Sequence, residues 1–111
     1  MIDLFGIPNC DKVKRAIEIL QEMKVSYLFI DFKKERPSKE KILLWKDFLS
    51  DWPVNKRGTT YRKFKEQFVE GNDQEKLNLI QENSSMIPRP ILERNGKILK
   101  IGFDEEFLRT L

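Results

Sequence analysis

A helical period set between two short apolar runs dominates the first third of the chain and leaves few folds open. Residues 2–5 (IDLF) read as a short strand ending at Gly6. Val13, Ala16, Ile17, Leu20 and Met23 then follow the i, i+3, i+4, i+7 rule of an amphipathic helix, with Lys12, Lys14, Arg15 and Glu18 on its other faces. Residues 27–32 (YLFIDF) form an apolar, aromatic and β-branched run that predicts a buried strand. Strand, helix and strand in this order imply a parallel pair joined by a right-handed crossover. The link between the first strand and the helix, Ile7-Pro8-Asn9-Cys10-Asp11, reads as a loop. Its proline turns the preceding residue away from helix, and Asn9 is a favoured N-cap.

The middle of the chain is helical. Pro37-Ser38 opens a helix that Ser38 can cap, with Ile42, Leu43, Trp45 and Leu49 at its apolar positions. Trp52-Pro53 interrupts it, and residues 54–60 (VNKRGTT) form a polar loop. Helical patterns resume through Tyr61, Phe64 and Phe68, and again from Asp73 through Leu77, Ile80 and Gln81. The sequence then returns to strands. Asn95-Gly96 between residues 91–94 and 97–101 is a strong hairpin signal, and Asp104 can cap a last helix carrying Phe107, Leu108 and Leu111. The predicted architecture is α/β: a thioredoxin-like fold with a helical insertion, about residues 37–84, between an N-terminal β-α-β and a C-terminal β-β-α unit. It is read as one domain over residues 1–111. Phe29, Phe32, Trp45, Phe48, Phe64, Phe68 and Phe107 are expected to fill the core.

Composition narrows the chemistry. The chain has no histidine and one cysteine among its 111 residues. Histidine acid–base catalysis, histidine metal ligation and any Cys-His couple are excluded, and neither an internal disulfide nor a cysteine-rich metal site can form. No metal or tightly bound cofactor is therefore expected. The 21 basic and 18 acidic residues alternate and leave a net charge of +3. That fits a solvated mixed surface better than a nucleic-acid stripe. No segment approaches the roughly 20 apolar residues of a membrane span, and the N-terminus lacks the pattern of a signal peptide. A monomeric cytoplasmic protein is the expectation.

Three places can carry chemistry. Cys10 falls between a strand end and a helix start, where unpaired backbone N–H groups and the helix dipole favour a thiolate; a small buried hydrophobe is the plainer alternative. Lys12 and Lys14 add positive charge, which Asp11 partly offsets. Arg57, within Asn55-Lys56-Arg57-Gly58-Thr59-Thr60, either belongs to a helix-start loop capped by Thr59 or Thr60 or offers its planar fork of donors to an anion. Pro88-Arg89-Pro90 either stiffens a loop or, with a cis bond at Pro90, presents Arg89 to the site; composition leaves the isomer open.

The segments Gly-Ile-Pro-Asn-Cys-Asp-Lys-Val-Lys-Arg-Ala, Asn-Lys-Arg-Gly-Thr-Thr-Tyr-Arg-Lys-Phe and Met-Ile-Pro-Arg-Pro-Ile-Leu, followed by Ile-Gly-Phe, occur in that order. With them the chain resembles the ArsC/Spx family, most closely its YffB-type branch of arsenate-reductase-like proteins, from Leu4 to Phe107. The resemblance implies a cytoplasmic bacterial protein with Cys10 as nucleophile. It implies Arg89, ahead of the cis-proline candidate Pro90, as one oxyanion arginine and Arg57 as another. Lys14 joins them as a candidate for holding an anion or stabilising the thiolate. Glutathione is the implied co-substrate, with glutaredoxin as an accompanying partner.

Two departures from the family pattern bear on substrate. Arsenate reductases carry a further arginine about where this chain has Ile101-Gly102-Phe103, and a histidine upstream of the cysteine. Many Spx-type regulators have a Cys-x-x-Cys switch, and here the second position is Val13. The favoured expectation is a glutathione-dependent monothiol oxidoreductase acting on an oxyanion, a disulfide or a mixed disulfide. The alternative is an Spx-like regulator that binds the RNA polymerase α-subunit without turnover.

Overall fold

In the computed structural model, which describes residues 1–111, strand β1 (Ile2–Gly6) has a partner along each edge. Strand β2 (Tyr27–Asp31) runs parallel to it, from Ile2 opposite Tyr27 to Gly6 opposite Asp31. Strand β3 (Ile91–Arg94) runs antiparallel on the other side, from Ile2 opposite Arg94 to Phe5 opposite Ile91. Strand β4 (Lys97–Ile101) completes the order β2-β1-β3-β4. Asn95 and Gly96 join β3 to β4 with φ of 53° and 77°, the positive pair that a two-residue hairpin of native twist requires. The mixed sheet and its element order agree with the expected α/β class.

Helix α1 (Asp11–Glu22) crosses between the parallel strands. Period 2 in the strands and period 3.6 in the helix bring their apolar faces together. Ile2, Leu4 and Leu92 from the sheet pack with Val13, Ala16, Ile19 and Leu20 from α1 and with Leu108 of the C-terminal helix. Asp104 caps that last helix by accepting from the Phe107 N–H at 3.0 Å. On the opposite face of the sheet Phe5 stacks on Phe32, ring centres 6.2 Å apart.

The chain divides into two compact units, Met1–Glu35 with Arg89–Leu111, and Arg36–Pro88. The second holds helices α2 (Lys39–Leu49), α3 (Thr59–Glu70) and α4 (Asp73–Glu82), then a 3-10 turn at Ser84–Met86. Ser38 caps α2 by accepting from the Lys41 N–H. Asn72 and Glu75 form a reciprocal capping box on α4, each side chain accepting the other's backbone N–H. Phe68 stands between Trp52 and Tyr61, edge to face with each. The helix Glu105–Leu108, in the first unit, is α5.

Several local expectations are corrected. The N-cap of α1 is Cys10, not Asn9: Pro8 and Asn9 are used up in a turn closed by the Cys10 N–H donating to the Ile7 carbonyl, a turn for which proline at the second position is suited. The cap of α3 is Gly58 rather than Thr59 or Thr60, because both threonines are already helical. Strand β2 is an edge strand and not buried throughout; Leu28 is 52% exposed. Phe48 is 49% exposed and does not fill the core, since α2 turns Ile42 and Trp45 inward instead.

Candidate functional site

The turn Ile7-Pro8-Asn9-Cys10 ends where α1 begins, so Cys10 is the N-cap, just before the first free N–H groups of the helix. Its own carbonyl accepts from the Lys14 N–H at 3.0 Å, the first bond of the helix. Its φ and ψ of −96° and 123° are extended, as an N-cap requires. The side chain is partly exposed and packs against the core cluster beneath α1. It makes no short capping hydrogen bond, yet the backbone N–H groups of Val13 and Lys12 face the sulfur closely enough to favour its charged form.

Opposing influences act on this thiol. Partial burial is the largest, and by itself it disfavours the charge. Against it stand the Val13 N–H, a hydrogen bond from the Arg89 side chain, the positive charge of that guanidinium and the Lys12 N–H. Together these outweigh desolvation and hold Cys10 below the ordinary thiol range. A nucleophile of this kind attacks as the thiolate, so the arrangement prepares Cys10 for substitution at a sulfur or at another electrophilic atom.

Arg89 comes from the far end of the chain. It directly precedes β3 through an Arg89–Pro90 peptide that is cis, and its Nε is buried. The pairing of β3 with β1 carries the start of β3 to the end of β1, where the cysteine turn begins. The sheet thus brings together Cys10 and Arg89 from opposite ends of the sequence.

The other candidates stand differently. Lys14 lies one turn into α1 with its side chain exposed; its backbone engages Cys10, and Arg89 is the one side chain among the leading influences on the sulfur. Lys12 acts on the sulfur through its amide. Arg57 lies in the helical unit, exposed, in a turn where its N–H donates to Asn55 Oδ1 at 3.2 Å just before α3.

Sequence reasoning missed two contributors. The Val13 amide is legible in retrospect as the third helical N–H after an N-cap at Cys10, but that position depended on knowing the cap. Gly6, at the end of β1, lets α1 approach the strand: a Cβ there would stand 2.6 Å from Val13 Cγ2. A glycine closing a strand just before a helix is the signal that points to such close approach.

Relatives share this architecture. The structure superposes on that of the YFFB protein with a TM-score of 0.84 and 32% identity, covering 99% of this chain and 97% of the other. A possible arsenate reductase from Streptococcus mutans UA159 gives 0.76 and 29%, covering 93% and 91%. The global transcriptional regulator Spx of Staphylococcus aureus is 28% identical over 112 residues, spanning 98% of this chain and 85% of the regulator. With the family match running over residues 5–111, the chain belongs to the ArsC family.

Proposed function

We propose that the protein is a glutathione-dependent monothiol reductase of the bacterial cytoplasm. The observation that supports this most is the Arg89 guanidinium at the Cys10 sulfur, on the N-terminus of α1. The Cys10 thiolate attacks one sulfur of a disulfide; a Cys10–substrate disulfide forms and the other sulfur leaves as a thiolate. The chain has no second cysteine, so an outside thiol must break that bond. Glutathione attacks it, takes the substrate sulfur as a glutathione disulfide and returns Cys10 as thiolate. An arsenate-like oxyanion would enter by attack of the same thiolate on arsenic, one As–O bond breaking as water leaves and Arg89 balancing the charge. Two glutathione thiols then supply the two electrons, leaving as glutathione disulfide while the arsenic leaves as arsenite and Cys10 returns as thiolate. Glutaredoxin is the natural acceptor of the glutathione adduct. Arg57 is proposed as a further anion contact on the family resemblance alone, Lys14 on its positive charge in the first turn after Cys10, and Pro90 as the residue that shapes the approach to Arg89. The working form is taken as a monomer.

Steady-state turnover with glutathione, using a model glutathione mixed disulfide and arsenate in parallel, tests this reading. Wild type should turn over one of them and Cys10→Ser should not. Equal rates for the two proteins would sink the mechanism.

A second reading rests on the likeness to Spx across nearly the whole chain: a regulator that binds the RNA polymerase α-subunit without turnover. Capture by the isolated α C-terminal domain, from wild type and Cys10→Ser alike and without glutathione turnover, would favour it over the enzyme.

A further inference from the structure

Gly102 is the first residue beyond β4, and its backbone stands at φ +98°, where residues with a side chain are rarely found. Nothing lies within 4 Å of the place a Cβ would take. No neighbour therefore demands glycine at this position; the dihedral does. The Gly102 N–H donates to the Pro90 carbonyl at 2.8 Å, and the positive φ lets the chain keep that bond while it turns toward Phe103 on the core cluster.

That bond continues the β3–β4 ladder one step past its last pair, Ile91 opposite Ile101. Antiparallel partners commonly exchange two backbone bonds, but proline has no N–H to give. The Gly102 donor is thus the one main-chain tie that this step of the ladder can supply. Pro90 is joined directly to Arg89, the side chain at the Cys10 sulfur. On its other side Gly102 leads to Phe103, which packs on the same core cluster as Cys10.

We propose that Gly102 is a positioning residue of the thiol site, holding the Arg89–Pro90 segment through the Pro90 carbonyl so that the Arg89 guanidinium rests at Cys10. The inference depends on Cys10 working as a thiolate with Arg89, and it adds a residue that touches neither sulfur nor substrate. The charged residues of the first turn of α1 are Asp11, Lys12 and Lys14, Arg89 lies just ahead of β3, and β3 itself carries Glu93, buried, and Arg94. Lys100 on β4 is engaged with Asp104 at 3.3 Å.

The test follows alkylation of Cys10 by iodoacetamide across pH, with no substrate present, so a failure of glutathione turnover leaves the readout intact. Gly102→Ala places its methyl in open space but resists the dihedral. Its alkylation at pH 7 should fall at least about twofold as the titration moves to higher pH. Gly102→Asn, which tolerates positive φ better, should fall between Ala and wild type. Arg89→Ala should move the titration in the same direction, and adding Gly102→Ala to it should change nothing more. Asn72→Ala, which removes a helix cap elsewhere, should titrate as wild type. If Gly102→Ala does not fold, Gly102→Asn carries the comparison. Wild-type titration of the folded glycine variant would overturn the proposal. So would an equal further shift in the Arg89→Ala background, or a similar shift from Asn72→Ala.

Discussion

Gly6 and Val13 meet so closely that a β-carbon added to the glycine would lie 2.6 Å from Val13 Cγ2. The strand end and the first turn of α1 are held in contact by the missing side chain, and the cysteine turn is strung between them. Gly6→Ala should therefore destabilise the fold by about 1–3 kcal/mol. Shortening the neighbour should relieve it: Val13→Ala in the Gly6→Ala background should cost less than Val13→Ala in wild type. Urea midpoints of the four proteins check this, and strict additivity would show that the contact is not the cause.

Cys10 is held below its ordinary value in the folded chain, against the pull of burial, by the Val13 N–H, Arg89 and the Lys12 N–H. In the unfolded chain the thiol titrates near about 8.5. The folded state therefore binds the proton less tightly than the unfolded state. The resulting stabilisation is fully present above the unfolded value and is lost as pH falls through the lower folded value. Wild type should gain stability relative to Cys10→Ser as pH rises across that window, and the gain should level off above it. Chemical denaturation from pH 5 to pH 9.5 measures the difference; a flat difference would contradict it.

Asp104 has its carboxyl held below the usual range, chiefly by the Phe107 N–H it caps, with Lys100 assisting; partial desolvation opposes both. A depressed acid stabilises above its unfolded value and loses that contribution as pH falls through its folded one. Asp104→Asn should thus be less stable than wild type near neutrality and converge with it in strong acid. Thermal melts from pH 2 to pH 6 test the convergence.

Trp45 is fully buried on α2, while Phe48, one turn on, is half exposed. Trp45→Ala should cost about 3–5 kcal/mol. Phe48→Ser should change stability by no more than about 0.5 kcal/mol. Comparable losses from the two would mean that Phe48 is covered in solution.

Asn72 and Glu75 satisfy each other's backbone N–H groups at the start of α4. Asn72→Ala, which removes the acceptor for the Glu75 N–H, should lower stability by about 1 kcal/mol, read from urea midpoints, with Glu75→Ala costing less because alanine is a good helix former at a position already inside the helix.

The β-α-β unit and the hairpin were legible because their signals are local: the helical period from Val13, the apolar run before Phe32, and Asn95-Gly96. Asp104 and Ser38 were legible as caps for the same reason. Phe48 was not, because a helix of high overall apolarity does not announce which aromatic faces inward. Asn9 drew the cap assignment by side-chain preference, but the turn begun by Pro8 consumes it and passes the role to Cys10. In the site, Cys10 and Arg89 were each visible as residues, whereas their meeting depends on β1–β3 pairing across most of the chain. Gly102 was seen only as a place where an arginine is absent; its bond to Pro90 follows from the β3–β4 register, and its positive φ is not something a sequence displays.

The β1–β3 pairing joins Phe5 to Ile91, so it cannot form until the whole stretch between them has been made. During synthesis Cys10 leaves the ribosome early, with Arg89 still to be made. A nascent chain stopped before residue 89 would carry a thiol without its counter-cation, and hence one of muted reactivity. The share of thiolate stabilisation that Arg89 supplies therefore arrives only when the last strands have docked.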